Sequence, residues 1–417
     1  PPPPSPPSPP SPPRALQVIE IDNAKNAFRL REDLLKAVLA QCPADRKVAL
    51  VSVVGAFRTG KSFLLDFFLR YLRLPQDEAG QVQWESLFSD GEKLEGSIND
   101  ELLAEEKAKE KAKAAAGEAS TEEEEEEQKT APAAAPAAAP AGGFSWRAGR
   151  ETNTTGIWIW SEPFLRKLPR TGEEVAVLLV DTQGMFDQSL SQLLTTSIFG
   201  LSTLLSSYQV YNVKNQIQED QLQHLSLFAE YGRVALRQDS TDRKGKAMAE
   251  AAAAAAESAS GERSSGGGSG SNSSSGSPTK KKRSVSTAEA ALAAAYPAPF
   301  QTLQFLVRDW NEFEDLDDEA LLDVKALEAN MDEYLKGVLS STGNEDLSSV
   351  RKHIQACFEK VDAFLLPHPG FAVVKKSYDG DFGKIRPSFK QLMRHYVHAL
   401  FEERLDAKKI NGQYVTA

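Results

Sequence analysis

Between Val48 and Leu69 an apolar, β-branched run meets a glycine-bounded loop and then a second apolar run. Val48-Ala49-Leu50-Val51-Ser52-Val53-Val54 has almost no polar alternation, the pattern of a strand covered on both faces of a parallel sheet. Phe63-Leu64-Leu65-Asp66-Phe67-Phe68-Leu69 reads as a buried helix. The loop between them, Gly55-Ala56-Phe57-Arg58-Thr59-Gly60-Lys61-Ser62, fits G-x-x-x-x-G-K-[ST]. Strand, glycine loop and helix in that order aim backbone N–H groups and the positive end of a helix at phosphate. Gly55 and Gly60 allow backbone angles and a close approach that a Cβ would obstruct. Lys61 is expected to reach the β- and γ-phosphates of a nucleoside triphosphate, and Ser62 to bind Mg²⁺ through its hydroxyl. Arg58 is the unusual member: inside the loop its guanidinium would lie beside the transferring phosphate. A surface arginine or an ion-pair partner is the competing reading.

The rest of the 417 residues supports an α/β fold with a mostly parallel central sheet flanked by helices. Strand 47–54 leads to helix 61–72. Strand 174–180 is followed by helices across 191–206 and 216–237. Strand 301–307 is followed by helices near 319–340 and 346–359. A short strand at 371–374 and a helix over 386–404 complete the series. Three tracts are expected to be unfolded, because their composition cannot bury enough apolar area to offset chain ordering. Residues 1–13 are a Pro/Ser segment suited to extended polyproline helix. Residues of about 101–143 pass from Glu/Lys/Ala through six glutamates to an Ala/Pro repeat. Residues of about 240–299 are Ala-rich, then Gly/Ser-rich, then basic at Lys280-Lys281-Lys282-Arg283, a run read as solvated rather than as a nuclear signal. One domain over 14–417, interrupted by the two internal tracts, accounts for the ordered sequence.

Bulk properties exclude several classes. A net charge of −11 argues against general nucleic-acid binding. Cys42 and Cys357 offer neither a disulfide framework nor metal-ligand spacing, and both read as buried thiols in a reducing compartment. His353, His395 and His398 make no metal constellation. No apolar run reaches the length of a membrane span, and no signal-peptide pattern appears. A first residue of proline rather than methionine implies a fragment or a processed product.

Beyond the loop, Asp181-Thr182-Gln183-Gly184 directly follows the second buried strand. An acidic residue there can hold Mg²⁺ through water, and the glycine N–H can sense a γ-phosphate. Met185 stands where small GTPases usually carry a water-positioning glutamine, which shifts attention to Arg58 as a source of transition-state charge. Gln183 is a candidate helper, with a structural hydrogen bond as the alternative. Thr154-Thr155-Gly156 lies between the first two strands, and either threonine can close over metal and phosphate. Arg308-Asp309 ends the third strand. A carboxylate at that point can accept from guanine N1–H and the 2-amino group, a donor pair adenine lacks, and the arginine can lie along the base plane.

These residues together resemble the atlastin and guanylate-binding-protein branch of the dynamin-like GTPases, most closely an atlastin G domain. The likeness is carried by Gly55–Ser62 with Phe63-Leu64-Leu65-Asp66-Phe67, by Asp181-Thr182-Gln183-Gly184, and by Ser206-Ser207-Tyr208-Gln209-Val210-Tyr211-Asn212. It continues through Gln218–Leu225, Phe305-Leu306-Val307-Arg308-Asp309-Trp310 and Phe364-Leu365-Leu366-Pro367-His368-Pro369-Gly370. The resemblance implies GTP hydrolysis with Mg²⁺, Arg58 as a cis arginine finger and Thr155 as the switch threonine. It implies GTP contacts from Gly55, Arg58, Thr59, Gly60, Lys61, Ser62, Phe63, Gly184, Arg308, Asp309 and Val373, and metal contacts from Ser62, Thr155 and Asp181. His368–Val373 would lie near a guanine cap, while His224 and Glu219 are helix and core residues. It further implies GTP-dependent homodimers, and a cytosolic domain on the cytoplasmic face of the endoplasmic reticulum that tethers or fuses membranes through segments outside this sequence. A guanylate-binding-protein-like defence role and a nucleotide-gated interaction module with little turnover are the alternatives. Atlastins lack the two long low-complexity insertions.

Overall fold

The computed structural model describes residues 12–22, 27–78, 80–83, 87–88, 142–144, 146, 154–185, 191–233, 298–313, 323–340, 343–375 and 377–417. The Pro/Ser segment up to residue 11 and almost all of both internal low-complexity tracts lie outside these residues.

The chain enters as a hairpin, β1 (Ala15–Asp22) and β2 (Ala27–Leu30), followed by α1 (Glu32–Leu39). Then come β3 (Val48–Gly55), α2 (Lys61–Arg73), β4 (Ile157–Trp160), β5 (Phe164–Lys167) and β6 (Glu174–Thr182). After α3 (Gln192–Leu205) follow β7 (Tyr208–Lys214) and helix α4 over 219–233. The last part holds β8 (Phe300–Arg308), α5 (Val324–Leu339), α6 (Glu345–Cys357), β9 (Phe358–Leu365) and α7 (Pro387–His398). A π-helical turn, Ala399–Arg404, extends α7, and a small hairpin, β10 (Lys409–Ile410) and β11 (Gln413–Tyr414), closes the series.

Nine strands form one sheet in the order β2-β1-β4-β6-β3-β7-β8-β9, with β5 also paired to β6. β6, β3, β7, β8 and β9 are mutually parallel, and the strands on the β6 side add antiparallel pairs. The pleat sends alternate residues to opposite faces. Val175, Val177 and Leu179 join the larger core with α2, whereas Leu178 and Val180 join a smaller one with Val18, Ile157 and Ile198. Helix α2 carries the main aromatic load. Phe63, Phe67, Phe68 and Tyr71 are all buried, with Phe63 edge-on to Phe67 at 5.1 Å and Phe68 edge-on to Phe401 at 5.5 Å.

The mostly parallel sheet agrees with the sequence reading, and five details correct it. Residues 371–374 are successive turns, held by Val373 N–H to Gly370 O at 3.3 Å and Lys375 N–H to Ala372 O at 3.3 Å, not a strand. The helix expected over 346–359 ends at Cys357, and the chain passes directly into β9. β7 was not anticipated as a strand, nor was the β1–β2 hairpin. Cys357 is buried, but Cys42 is only partly so.

Candidate functional site

The carboxyl ends of β3, β6, β7 and β8 meet at one edge of the sheet, the place where open α/β sheets bind ligands. Gly55 ends β3, and the loop to Ser62 turns into α2. Gly60 caps that helix in the left-handed region (φ 77), where L side chains are strained, and a Cβ there would lie 2.3 Å from Arg308 Nη1. The loop is laced to the segment after β6: Phe57 N–H donates to Met185 O at 2.9 Å, and Met185 N–H to Gly55 O at 3.0 Å. Gly184 makes this possible, since a Cβ there would stand 2.5 Å from Phe57 Cα. Met185 itself is buried in the core.

Lys61 is buried and donates to Ala56 O at 3.2 Å. Ser62 Oγ donates to Asp181 Oδ2 at 2.5 Å, and Thr154 Oγ1 lies 3.3 Å from both. Burial pushes the Asp181 carboxyl above the usual carboxylate range, against the hydrogen bond from Ser62 and the charge of Lys61. Asp181 Oδ1 is buried with no hydrogen-bond partner among the described residues. One carboxylate, one of whose oxygens is orphaned, and two hydroxyls suit Mg²⁺, which binds through one or two carboxylates plus waters and phosphate oxygens. Among the described residues there is no group of three or more His, Cys, Asp and Glu for a softer metal.

Thr155 is placed elsewhere. Its carbonyl accepts from Trp158 Nε1 at 2.6 Å and from Gln17 Nε2 at 2.8 Å, and its hydroxyl accepts from Gln17 at 3.3 Å. Gln183 is buried and clamps the same segment: Oε1 accepts from Gly156 N–H at 2.8 Å, and its own N–H donates to Gly156 O at 2.8 Å. Of its two sequence readings, the structural hydrogen bond is the one formed here. Arg58 is exposed, adopts φ 65, and holds its guanidinium 5.7 Å from the Phe57 ring. A non-glycine residue held there costs conformational energy.

A cavity of about 320 Å³ joins the two halves of the site. Arg58, Thr59, Gly60 and Phe63 line one side, Lys214, Arg308 and Asp309 another, and His368, Pro369, Val373 and Val374 a third. Trp146 completes the wall, pinned by its Nε1 to Asp66 Oδ2 at 2.5 Å and packed edge-on against Phe63 at 5.2 Å. Asp309 also adopts a left-handed conformation (φ 59); Lys214 Nζ lies 3.6 Å from its Oδ2, and its Oδ1 is buried with no partner among the described residues. Arg308, which lines the cavity, directs its Nη1 to Thr59 O, and burial pushes its guanidinium below the ordinary arginine value. Sequence reasoning missed Lys214 and Asn212, although Asn212 closes a run that supported the family resemblance. Asn212 donates to Thr59 O at 2.9 Å from the end of β7. Outside the site, Glu219 takes a two-pronged ion pair from Arg351, His395 lies 3.3 Å from Glu328, and His398 lies 3.3 Å from the Tyr71 hydroxyl.

The guanylate-binding protein, N-terminal domain, family matches residues 25–256 and 277–409. Atlastin of Drosophila melanogaster is 34% identical over 404 residues, covering 96% of this chain and 54% of the relative. Atlastin-1 of Mus musculus is 33% identical, covering 94% and 50%, and Atlastin-3 of Homo sapiens is 32% identical, covering 96% and 54%. The chain spans about half the length of the curated relatives it matches.

Proposed function

Because this chain belongs to the guanylate-binding protein, N-terminal domain, family, within the atlastin and guanylate-binding-protein branch of the dynamin-like GTPases, we propose that it binds GTP and hydrolyses it to GDP and phosphate. One observation carries the reading: the phosphate loop and Asp309, with its orphaned buried oxygen, line the same cavity. A buried carboxylate oxygen left unpartnered at such a point is costly unless a ligand supplies a donor, and guanine N1–H and the 2-amino group are such donors. Val373 and Phe63 would flank the nucleotide. Lys61 would exchange the Ala56 carbonyl for the β- and γ-phosphate oxygens.

Asp181 and Ser62 would hold Mg²⁺, which when bound neutralises charge between the β- and γ-phosphates. The Gly184 N–H would sense the γ-phosphate. Arg58, exposed at the loop crest, would bring its guanidinium to the charge that develops in the transition state. The family resemblance assigns the switch threonine to Thr155, and the contacts of Thr154 with Ser62 and Asp181 make Thr154 its rival. We extend the proposal to one G domain over 14–417, to GTP-dependent pairing of two copies, and to an assignment on the cytoplasmic face of the endoplasmic reticulum with a role in membrane tethering or fusion. No helix among the described residues is long and apolar enough to cross a membrane.

Phosphate release from GTP by the purified chain, with and without a Mg²⁺ chelator, tests the core of this reading. Turnover should vanish with chelation and in Lys61→Ala; undiminished turnover in both would refute it. Comparing Thr154→Ala with Thr155→Ala then identifies the switch threonine as the variant with the larger fall in kcat.

A further inference from the structure

The Thr59 carbonyl is gripped from two strands at once. Asn212, fully buried near the end of β7, donates Nδ2 to it at 2.9 Å and reaches Thr59 Oγ1 at 3.4 Å. Arg308, the last residue of β8, donates Nη1 to the same carbonyl and lies 3.5 Å from Gly60 O. The two strands are adjacent and parallel, with Lys214 in register with Arg308. Thr59 secures the other side of the turn through its hydroxyl, which donates to Ala56 O at 2.9 Å.

The geometry of the peptide makes this grip consequential. A trans peptide is planar, with its C=O and N–H pointing in opposite directions. Holding Thr59 O toward the strands therefore turns the Gly60 N–H away from them. Holding Gly60 O does the same for the Lys61 N–H. Those are the N–H groups that a phosphate loop at a helix N-terminus presents to an anion. Asn212 is also an expensive residue to bury for packing alone. Its Oδ1 has no partner among the described residues, and an apolar side chain of the same shape would avoid that penalty.

We propose that Asn212 and Arg308 are positioning residues that hold the phosphate loop in its anion-binding form. Arg308 then serves the phosphate half of the site while its neighbour Asp309 serves the base. This inference rests on the nucleotide reading above. It assigns the Arg308–Asp309 pair to two different ends of the ligand.

The test compares wild type, Asn212→Leu and Arg308→Lys by GDP and IDP binding, and by amide hydrogen exchange of the 55–62 loop in ligand-free protein. IDP lacks the guanine 2-amino group, so the ratio of the two affinities reports on base reading. Both variants should bind GDP and IDP about tenfold more weakly with the ratio unchanged. Loop exchange should quicken in both while exchange in β6 and β9 stays constant. Unchanged affinity with unchanged loop exchange would overturn the proposal. So would faster exchange spread over the whole sheet, which marks a merely structural residue, or an Arg308→Lys variant that alters only the GDP-to-IDP ratio. A wild-type chain that binds neither nucleotide would overturn the nucleotide reading, and ligand-free exchange would still decide the brace.

Discussion

The two ends of β3 are built on opposite terms. At its carboxyl end the chain leaves the sheet through Gly55 into a loop with left-handed Arg58 and Gly60, beside the unpartnered oxygens of Asp181 and Asp309. At its amino end, Val48 N–H donates to Val415 O at 3.0 Å and Val48 O accepts from Lys408 N–H at 2.7 Å. There Lys408 Nζ is buried and donates to Ser206 O at 2.8 Å, while Tyr414 stacks under Lys47 at 3.6 Å. One end keeps strain and polar capacity for a ligand, and the other satisfies its groups internally. The same strand therefore separates what the fold spends on function from what it retains for stability.

Variants at the two ends should fail differently. Arg58→Ala should show the largest effect, a fall in kcat of on the order of 10³ with GDP affinity and thermal midpoint almost unchanged; equal single-turnover rates for the variant and wild type would remove Arg58 from the chemistry. Asp309→Asn should come next. An amide can still accept from N1–H but presents a donor toward the 2-position, so preference should move from guanine to xanthine nucleotides by about 10². Competition binding of GDP and XDP measures it, and an unshifted ratio would dissociate Asp309 from the base.

At the amino end the effects belong to stability. Burial lowers the Lys408 ammonium from 10.5 to about 8, against the opposing influence of Glu359. Between those values the unfolded chain binds more protons at this site than the folded one, so folding is favoured as pH rises from about 8 to 10.5. The contribution of this site should climb by up to about 1.4 kcal/mol per pH unit. Denaturant unfolding of wild type against Lys408→Met over that window isolates it, since the variant should lack the climb; parallel curves would contradict the assignment. Tyr414→Ala should have the smallest effect, about 0.5–1 kcal/mol from its stacked lysines, with turnover intact. A Tyr414 variant that lost turnover would break the division between the two ends.

What was legible in the sequence follows the same division between local and distant causes. β3, β6 and β8 announce themselves because uninterrupted apolar runs have few other uses. β7 is hidden because Gln209 and Asn212 interrupt its pattern; their partners, Thr203 Oγ1 at 2.9 Å and the phosphate loop, are not visible from local periodicity. β9 is hidden because Glu359-Lys360 continues the polar pattern of α6 without glycine or proline to mark the change, and buried Asp362 finds Arg404 at 2.9 Å only after folding. The motif residues of the site were readable as a set. Which of two adjacent threonines faces Asp181, and the turning of Arg308 beneath the loop, depend on contacts between segments far apart in the chain.

Asp66 ties the segment after the first low-complexity tract to the phosphate-loop helix, accepting from Phe144 N–H at 2.9 Å as well as from Trp146. It acts as a mooring point. A chain lengthened or shortened between residues 89 and 141 rejoins the fold at the same peg, and closing a longer loop costs only logarithmically more. The Trp146 wall of the cavity is thereby insulated from the length of the tract before it.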